Sequence, residues 1–272
     1  MNKIVTLAIS SGKGGVGKTN ACVNLATALG ATGHRVMVLD ADLGLANVDV
    51  LLGCRSEKTL EHVVSGEATL DEVICDGPPG VKIIPAANGV TELANLDGPQ
   101  TSGLIAAFES LQTQPDFFIV DIPAGIHRSV IQFCQAVQNV VVVACNEPAS
   151  ITDAYGLIKV LSQQGVSRVH LLANMMRSQK EGYEVYQKLT RATDQFLNVS
   201  VNYLGMVPFD TQLRSAVRQQ CAVVQAFPKT ASARAFVELA EKLSGLPADE
   251  SRGCIEFFLE RMLGSNEIRE AC

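Results

Sequence analysis

The chain has 272 residues, is 47% apolar and 18% charged, and carries 22 Lys and Arg against 28 Asp and Glu, a net charge of −6. That apolar content excludes a mainly disordered protein, the length suits one large α/β domain or two small ones, and the acidic balance argues against broad nucleic-acid binding through net charge. No stretch approaches the roughly 18 uncharged apolar residues of a bilayer span, and MNKIVTLAIS runs straight into glycines and lysines, with no small-residue cleavage site of a secretory signal.

Short apolar runs alternate with amphipathic stretches along most of the sequence. Ile4–Ser10 reads as a strand, Lys18–Gly33 as a helix ending on glycine, and Arg35–Leu39 as a second strand terminated by Asp40. Val81–Pro85 is a short extended run, Thr101–Gln112 a helix, Phe117–Val120 a strand ending at Asp121, and Ser129–Val137 a helix. The consecutive valines of Asn139–Cys145 are the pattern of a strand buried on both faces. Helix Ser150–Gln164, strand Arg168–Asn174, helix Lys180–Phe196, strand Tyr203–Val207 and helix Ala231–Leu243 complete the order. Strand–helix repetition of this kind predicts an α/β fold, a mostly parallel sheet with helices on both faces and ligands at the carboxyl ends of the strands. Gly12–Thr19, Asp40–Asp42, Asp121 and Asn174 all fall at such ends.

Between the first strand and its helix lies Ser11-Gly12-Lys13-Gly14-Gly15-Val16-Gly17-Lys18-Thr19, which satisfies G-x-x-x-x-G-K-[ST] through Gly12, Gly17, Lys18 and Thr19. Glycines let the backbone curl so that successive N–H groups point at phosphate oxygens, aided by the positive end of the following helix. Lys18 is expected to reach the β- and γ-phosphates of a nucleotide, and the Thr19 hydroxyl to ligate Mg²⁺. Lys13 is an unusual second lysine, placed where its side chain can point away from its own phosphates.

The string GKGGVGKT resembles the deviant Walker A motif of the MinD/ParA class of P-loop ATPases. The resemblance implies a three-layer P-loop NTPase fold, ATP and Mg²⁺ as cofactors, and two subunits that sandwich two ATP molecules face to face. It further implies that Lys13 crosses to the partner's nucleotide, much as an arginine finger does.

Leu39-Asp40-Ala41-Asp42 follows the second strand, where a carboxylate can hold Mg²⁺ or orient the attacking water. By the same resemblance Asp42 positions the hydrolytic water, while Asp40 supports the metal and the loop. Asp121-Ile122-Pro123-Ala124-Gly125 ends a hydrophobic strand as a Walker B segment does. Asp121 is expected to accept from Mg²⁺-bound water, and Gly125 to present its N–H to the γ-phosphate. No guanine-reading Asn-Lys-x-Asp is present in Asn174-Met175-Met176-Arg177, which favours ATP. Asn174 can offer its amide to adenine or serve as a strand-end cap, Met175 and Met176 can pack nearby, and Pro208-Phe209-Asp210 resembles the second adenine-side segment of the class. The ATP-binding set is thus Gly12, Lys13, Gly14, Gly15, Val16, Gly17, Lys18, Thr19, Gly125, Asn174, Pro208 and Asp210.

Four passages in order, LDADLGLANVDVLLG, NEPASITDAYGLIKVL, LLANMMRS with VPFD, and CIEFFLERML, are similar to the FlhG (FleN) family of flagellar-number regulators over Ile4 to Leu263. That resemblance implies weak, dimer-dependent ATP hydrolysis, an FlhF-type signal-recognition GTPase and a FleQ-type transcription activator as partners, and a cytoplasmic protein that associates peripherally with the inner membrane. Many relatives carry an N-terminal extension that stimulates FlhF. The first strand here begins by Ile4, so stimulation by that route is not expected.

The ATPase domain is expected over residues 1–248, and a tail over 249–272. Ile255, Phe258, Leu259, Met262 and Leu263 recur on one face of a helix. The tail carries 6 acids and 3 bases, unlike a typical interfacial anchor. Switchable membrane contact, which the family resemblance implies, packing on the protein's own surface, and another partner all remain open. Residues 176–236 hold 8 bases and 4 acids, with both signs interspersed, a solvated face rather than the DNA contact that a partition ATPase would need. MinD-like division-site selection is the other alternative. The eight cysteines, Cys22, Cys54, Cys75, Cys134, Cys145, Cys221, Cys254 and Cys272, include no C-x-x-C pair, which speaks for reduced thiols and against a zinc site or disulfide scaffold. An iron-protein reading would need paired cysteines; Cys134 is its nearest candidate and lacks a companion.

Overall fold

The computed structural model describes residues 4–42, 48–54, 58–85, 98–111 and 114–246. The expected tail helix with Ile255, Phe258, Leu259, Met262 and Leu263, and the boundary at 248, lie outside these residues, as do Leu43–Asn47 of the acidic loop.

Among the described residues eight strands, β1 (Val5–Ser10), β2 (Val36–Asp40), β3 (Cys75–Asp76), β4 (Val81–Ile84), β5 (Phe117–Asp121), β6 (Asn139–Ala144), β7 (Arg168–Met176) and β8 (Ser200–Pro208), form one sheet in the order β3-β4-β2-β5-β1-β6-β7-β8. Every pairing is parallel except that of the two-residue edge strand β3 with β4. Central strands are buried on both faces, and β6, NVVVVA, is the clearest case. A side chain of this size contributes about 1.5–3 kcal/mol when fully buried, so such a strand specifies its place in the middle of the sheet.

Helices α1 (Lys18–Ala31), α2 (Val48–Leu52), α9 (Thr211–Arg218), α10 (Val223–Ala226) and α11 (Ala231–Ser244) lie over one face. Helices α3 (Leu60–Val64), α4 (Leu70–Val73), α5 (Gly98–Glu109), α6 (Arg128–Ala136), α7 (Pro148–Gln163) and α8 (Gln179–Phe196) cover the other. The expected three layers are therefore present. The first core joins Leu7, Ile9 and Val38 to Leu25, Leu29, Phe236 and Leu239, and the second joins Phe118 and Val142 to Phe108, Leu157 and Leu189.

The fold adds elements that the amphipathic pattern does not announce. Helices α2, α3, α4 and α10 have four or five residues, too few for a period to show. Capping could have found α4: Thr69-Leu70-Asp71-Glu72 is a capping box, with Glu72 Oε2 accepting the Thr69 N–H at 2.9 Å.

Strand β1 is the point at which the chain reverses its direction of growth across the sheet. From β1 it crosses over β5 to β2; later it crosses from β5 over β1 to β6. The crevice beyond the carboxyl end of β1, between β5 and β6, is where this architecture opens a binding site.

Candidate functional site

The loop from Ser11 to Gly17 fills that crevice. Gly15 and Gly17 have φ of 80° and 83°, a conformation that suits glycine and strains any residue with a Cβ. Gly12 and Gly17 are also required by close approach: a Cβ on Gly12 would stand 2.1 Å from the Asp153 carbonyl oxygen in α7, and one on Gly17 would stand 2.4 Å from Asn174 Nδ2. Gly14 and Gly15 are exposed and face open space, so their backbone borders room for a ligand. Val16 is buried, and its carbonyl accepts Asn174 Nδ2 at 2.8 Å. Helix α1 starts directly on Gly17 with no side-chain cap and no acidic residue in its first turn, leaving its N-terminal N–H groups to the crevice.

Register brings the acidic residues together. Asp40 and Asp121 end β2 and β5 as directly paired positions, β5 lying beside β1, which leads into the loop, and β2 beyond β5. Lys18 is almost buried; its Nζ lies 2.8 Å from Asp121 Oδ1 and 3.8 Å from Asp42 Oδ2. Lys18, Asp42 and Asp121 thus converge, as the motif reading expects. Burial pushes the Asp121 carboxyl up to about 6, against the pull of the Lys18 ammonium and the Thr19 hydroxyl, while Asp40 adds to the rise. Its second oxygen, Oδ2, is enclosed and has no hydrogen-bond partner. An unsatisfied buried carboxylate oxygen beside a half-buried threonine hydroxyl fits a hard divalent cation, and the open space before Gly14 and Gly15 fits the phosphates that would complete its shell.

Several expected residues are engaged in other ways. Asp40 accepts the Asp42 N–H at 3.1 Å on Oδ1 and the Val48 N–H at 3.0 Å on Oδ2, so it holds the loop and the start of α2. Gly125 has its N–H on the Ser11 carbonyl at 2.8 Å rather than free for a phosphate, because the segment folds back onto the glycine loop. Asn174 donates from Nδ2 to the Val16 carbonyl of the loop and is 5% exposed. Met176 is fully buried; Met175, with φ 60° and 42% exposed, is the methionine that borders the site. Pro208 ends β8 beside Met176. Asp210 caps α9 through Gln212 N and receives Ser232 N and Oγ on Oδ2. Burial raises the Asp210 carboxyl, but these hydrogen bonds outweigh it and carry the group below its ordinary value. Asp210 therefore ties α9 to α11, and the exposed group it presents is the neighbouring Phe209 ring, with the Arg214 guanidinium 5.6 Å from its centroid.

Lys13 points away from the loop, its Nζ 3.1 Å from Glu147 Oε2 at the start of α7. Sequence reasoning missed Glu147, since nothing local links a loop lysine to a residue beyond β6. It also missed Ile126, which with Phe209, Val50 and Met175 is a large apolar residue left exposed on this end of the sheet.

Burial pushes the Cys134 thiol up to about 12 and the Cys145 thiol up to about 11, which keeps both protonated. Among the described residues no three His, Cys, Asp or Glu are grouped to hold a metal ion, and no helix is long and apolar enough to cross a membrane.

Comparison with known proteins agrees with this geometry. A family profile described as ParA, NUBPL iron-transfer P-loop NTPase, matches residues 3–244. The antiactivator FleN of Pseudomonas aeruginosa is 48% identical over 265 residues, 97% of this chain and 95% of that protein. The flagellum site-determining protein YlxH of Helicobacter pylori is 36% identical over 241 residues, 88% of this chain and 80% of its own. Among solved structures, septum site-determining MinD from Pyrococcus horikoshii, complexed with Mg-ADP, matches with a TM-score of 0.69 and 26% identity, covering 89% of this chain and 96% of that one. Cell division ATPase MinD from Pyrococcus furiosus matches with a TM-score of 0.71 and 26% identity, over 91% and 100%.

Proposed function

The chain belongs to the MinD/ParA class of P-loop ATPases, in its FlhG/FleN branch, and on that premise we propose that it is an ATP-gated dimeric switch with weak hydrolysis that regulates flagellar number. The observation that carries the enzymatic part is the convergence of Lys18, Asp121 and Asp42 behind the glycine loop.

In this reading the N–H groups from Gly12 to Thr19 cradle the β-phosphate, and Lys18 leaves Asp121 and Asp42 to take the β- and γ-phosphates. Thr19 and Asp121, with Asp40 behind them, hold Mg²⁺, which supplies charge neutralisation at the phosphates when bound. Once released by Lys18, Asp42 accepts a hydrogen bond from the attacking water and orients it. The Gly125 N–H leaves Ser11 for the γ-phosphate, which makes that segment report the presence of triphosphate. The Asn174 amide oxygen suits the amino group of adenine and repels the carbonyl of guanine. Pro208 and Phe209 flank the base, and Asp210 fixes their segment.

Lys13 exchanges Glu147 for the phosphates of a second subunit. The exposed Val50, Ile126 and Met175 on the same end of the sheet give two copies apolar surface to bury between them. The ATP-bound dimer then engages a FleQ-type activator or an FlhF-type GTPase. Its tail, through Ile255, Phe258, Leu259, Met262 and Leu263, contacts the membrane at the cell pole. Removal of residues 252–272 abolishes ATP-dependent sedimentation with liposomes on this reading, and unchanged sedimentation removes the membrane role.

Asp42→Ala tests the switch itself. Steady-state hydrolysis falls to background while ATP still assembles the dimer. Loss of both together would show Asp42 to be needed for binding, and full turnover by the variant would remove its assigned role.

A further inference from the structure

Helix α9 ends in an arrangement that ordinarily calls for glycine. The Gln220 N–H donates to Val217 O at 3.0 Å and the Cys221 N–H to Ala216 O at 3.1 Å, the paired bonds of a Schellman cap. The residue in the left-handed position is Gln220, with φ 51°, so a side chain stands where its absence would relieve strain. That side chain has a definite contact. Its Nε2 donates to the Val50 carbonyl of α2 at 3.0 Å, and its Cβ and Oε1 lie 3.6 Å from where a Cβ on Gly53 would stand.

Helix α2 (Val48–Leu52) is thereby held at its middle, through the Val50 carbonyl, and at its start. Its first N–H, on Val48, is held by the buried Asp40 carboxylate at 3.0 Å, and the same carboxylate accepts the Asp42 N–H. The segment that bears Gln220 is itself anchored: the Val224 N–H donates to Asn24 Oδ1 of α1 at 3.3 Å, and α1 grows out of the glycine loop. At its other end α9 is capped by Asp210, beside Phe209. A continuous chain of contacts therefore runs from α9 through Gln220 and α2 to the Asp40–Asp42 segment, whose Asp42 lies 3.8 Å from Lys18.

The geometry points to Gln220 as a positioning residue: its amide is a latch that holds α2, and through Asp40 the Asp42 carboxylate, in the arrangement that keeps Lys18 off the phosphates. This rests on the reading of the site as an ATP site and adds its regulation. Nucleotide binding must draw Lys18 from both Asp121 and Asp42, and the Asp42 share of that rearrangement works against the latch. Weakening the latch shifts the population toward the binding-competent form and lowers the apparent Kd. One exposed side chain–backbone hydrogen bond is worth about a two- to fivefold change.

Two variants separate the latch from ordinary structural support. Gln220→Gly removes the amide and relieves the left-handed strain, so its Tm is expected to equal or exceed that of the wild type. Gln220→Ala removes the amide and keeps the strain, so its Tm falls. Titration of the full chain with the fluorescent analogue mant-ATP and Mg²⁺ is expected to give the same tightening, about two- to fivefold, in both variants, although their Tm values move apart. Wild-type affinity in both, or an affinity that changes only where Tm changes, overturns the latch. Failure of the wild type itself to bind mant-ATP would instead bring down the ATP site, and the latch with it.

Discussion

Replacement of Asp121 by Asn is expected to stabilise the nucleotide-free protein at neutral pH while destroying its use of Mg²⁺ and ATP. Asp121 is 0% exposed, and burial raises its carboxyl from an ordinary 3.8 to about 6 in spite of Lys18 at 2.8 Å. A folded-state value above the unfolded one means that the native protein binds the proton more tightly. The associated stability is complete below about pH 3.8 and is lost as pH rises through about 6. A gap of about two units, at 1.36 kcal/mol each, sets the loss at about 3 kcal/mol at most. Asparagine keeps the shape and cannot ionise, but it deprives Lys18 of its nearer partner and leaves Asp42 at 3.8 Å. Leaving the buried Lys18 ammonium with the more distant partner offsets part of that gain, so the net rise in Tm stays below what about 3 kcal/mol would give. The assay is thermal unfolding of both proteins from pH 4 to 8 without nucleotide. The difference in Tm grows between pH 4 and 6 and then levels off; added Mg²⁺ and ATP raise the Tm of the wild type alone. A variant that melts below the wild type by the same margin at every pH would refute the reasoning. Asp121 would then be a net stabilising partner of Lys18 rather than a carboxylate held at a cost for its ligand.

Lys13→Ala is expected to keep wild-type affinity for ATP, measured by titration calorimetry, and to remain monomeric with ATP in size-exclusion chromatography. Its Tm should barely move, because the pair with Glu147 is solvent-exposed. Gly12→Ala forces a methyl group to within 2.1 Å of the Asp153 carbonyl oxygen, so either α7 or the loop must shift. Unfolding in urea should show a loss of about 1–3 kcal/mol, together with weakened nucleotide binding. At the opposite end of the sheet, the Arg35 guanidinium hydrogen-bonds the Asp116 carboxylate, and these bonds hold that carboxyl below its ordinary value. Asp116→Asn should therefore cost about 1 kcal/mol at neutral pH, a modest figure because both side chains are partly exposed. A depressed carboxyl contributes above its unfolded value of 3.8 and loses that contribution on acidification. The two melting curves should accordingly converge as pH falls below that value.

Much of the site is legible because its chemistry is local in sequence. Ser11–Thr19 carries the glycine loop, Lys18 and the Thr19 hydroxyl in one run, and Asp40 and Asp121 stand where apolar strands stop. The alternation of strand and helix reveals the three layers for the same reason, since short runs of β-branched residues such as β6 favour a strand buried on both faces. What stays hidden depends on who meets whom. Lys13 and Glu147 are 134 residues apart, Asn174 and Val16 are 158 apart, and Gln220 and Val50 are 170 apart. No periodicity encodes those pairs. Adjacent methionines with the same composition part company because the left-handed turn at Met175 sends one outward and leaves Met176 in the core. Gln220 was hidden for a further reason: the sequence cue for a helix end of this kind is glycine, and the chain places glutamine there.

The most direct measurement is the mass of the particle in solution with and without nucleotide, by sedimentation velocity or small-angle scattering on the full chain. Saturating ATP and Mg²⁺, with hydrolysis blocked by Asp42→Ala, should double the mass, whereas ADP should leave it at the value of a single chain. A single-chain mass under saturating ATP and Mg²⁺, in a sample shown by calorimetry to have bound the nucleotide, would contradict the account at its centre.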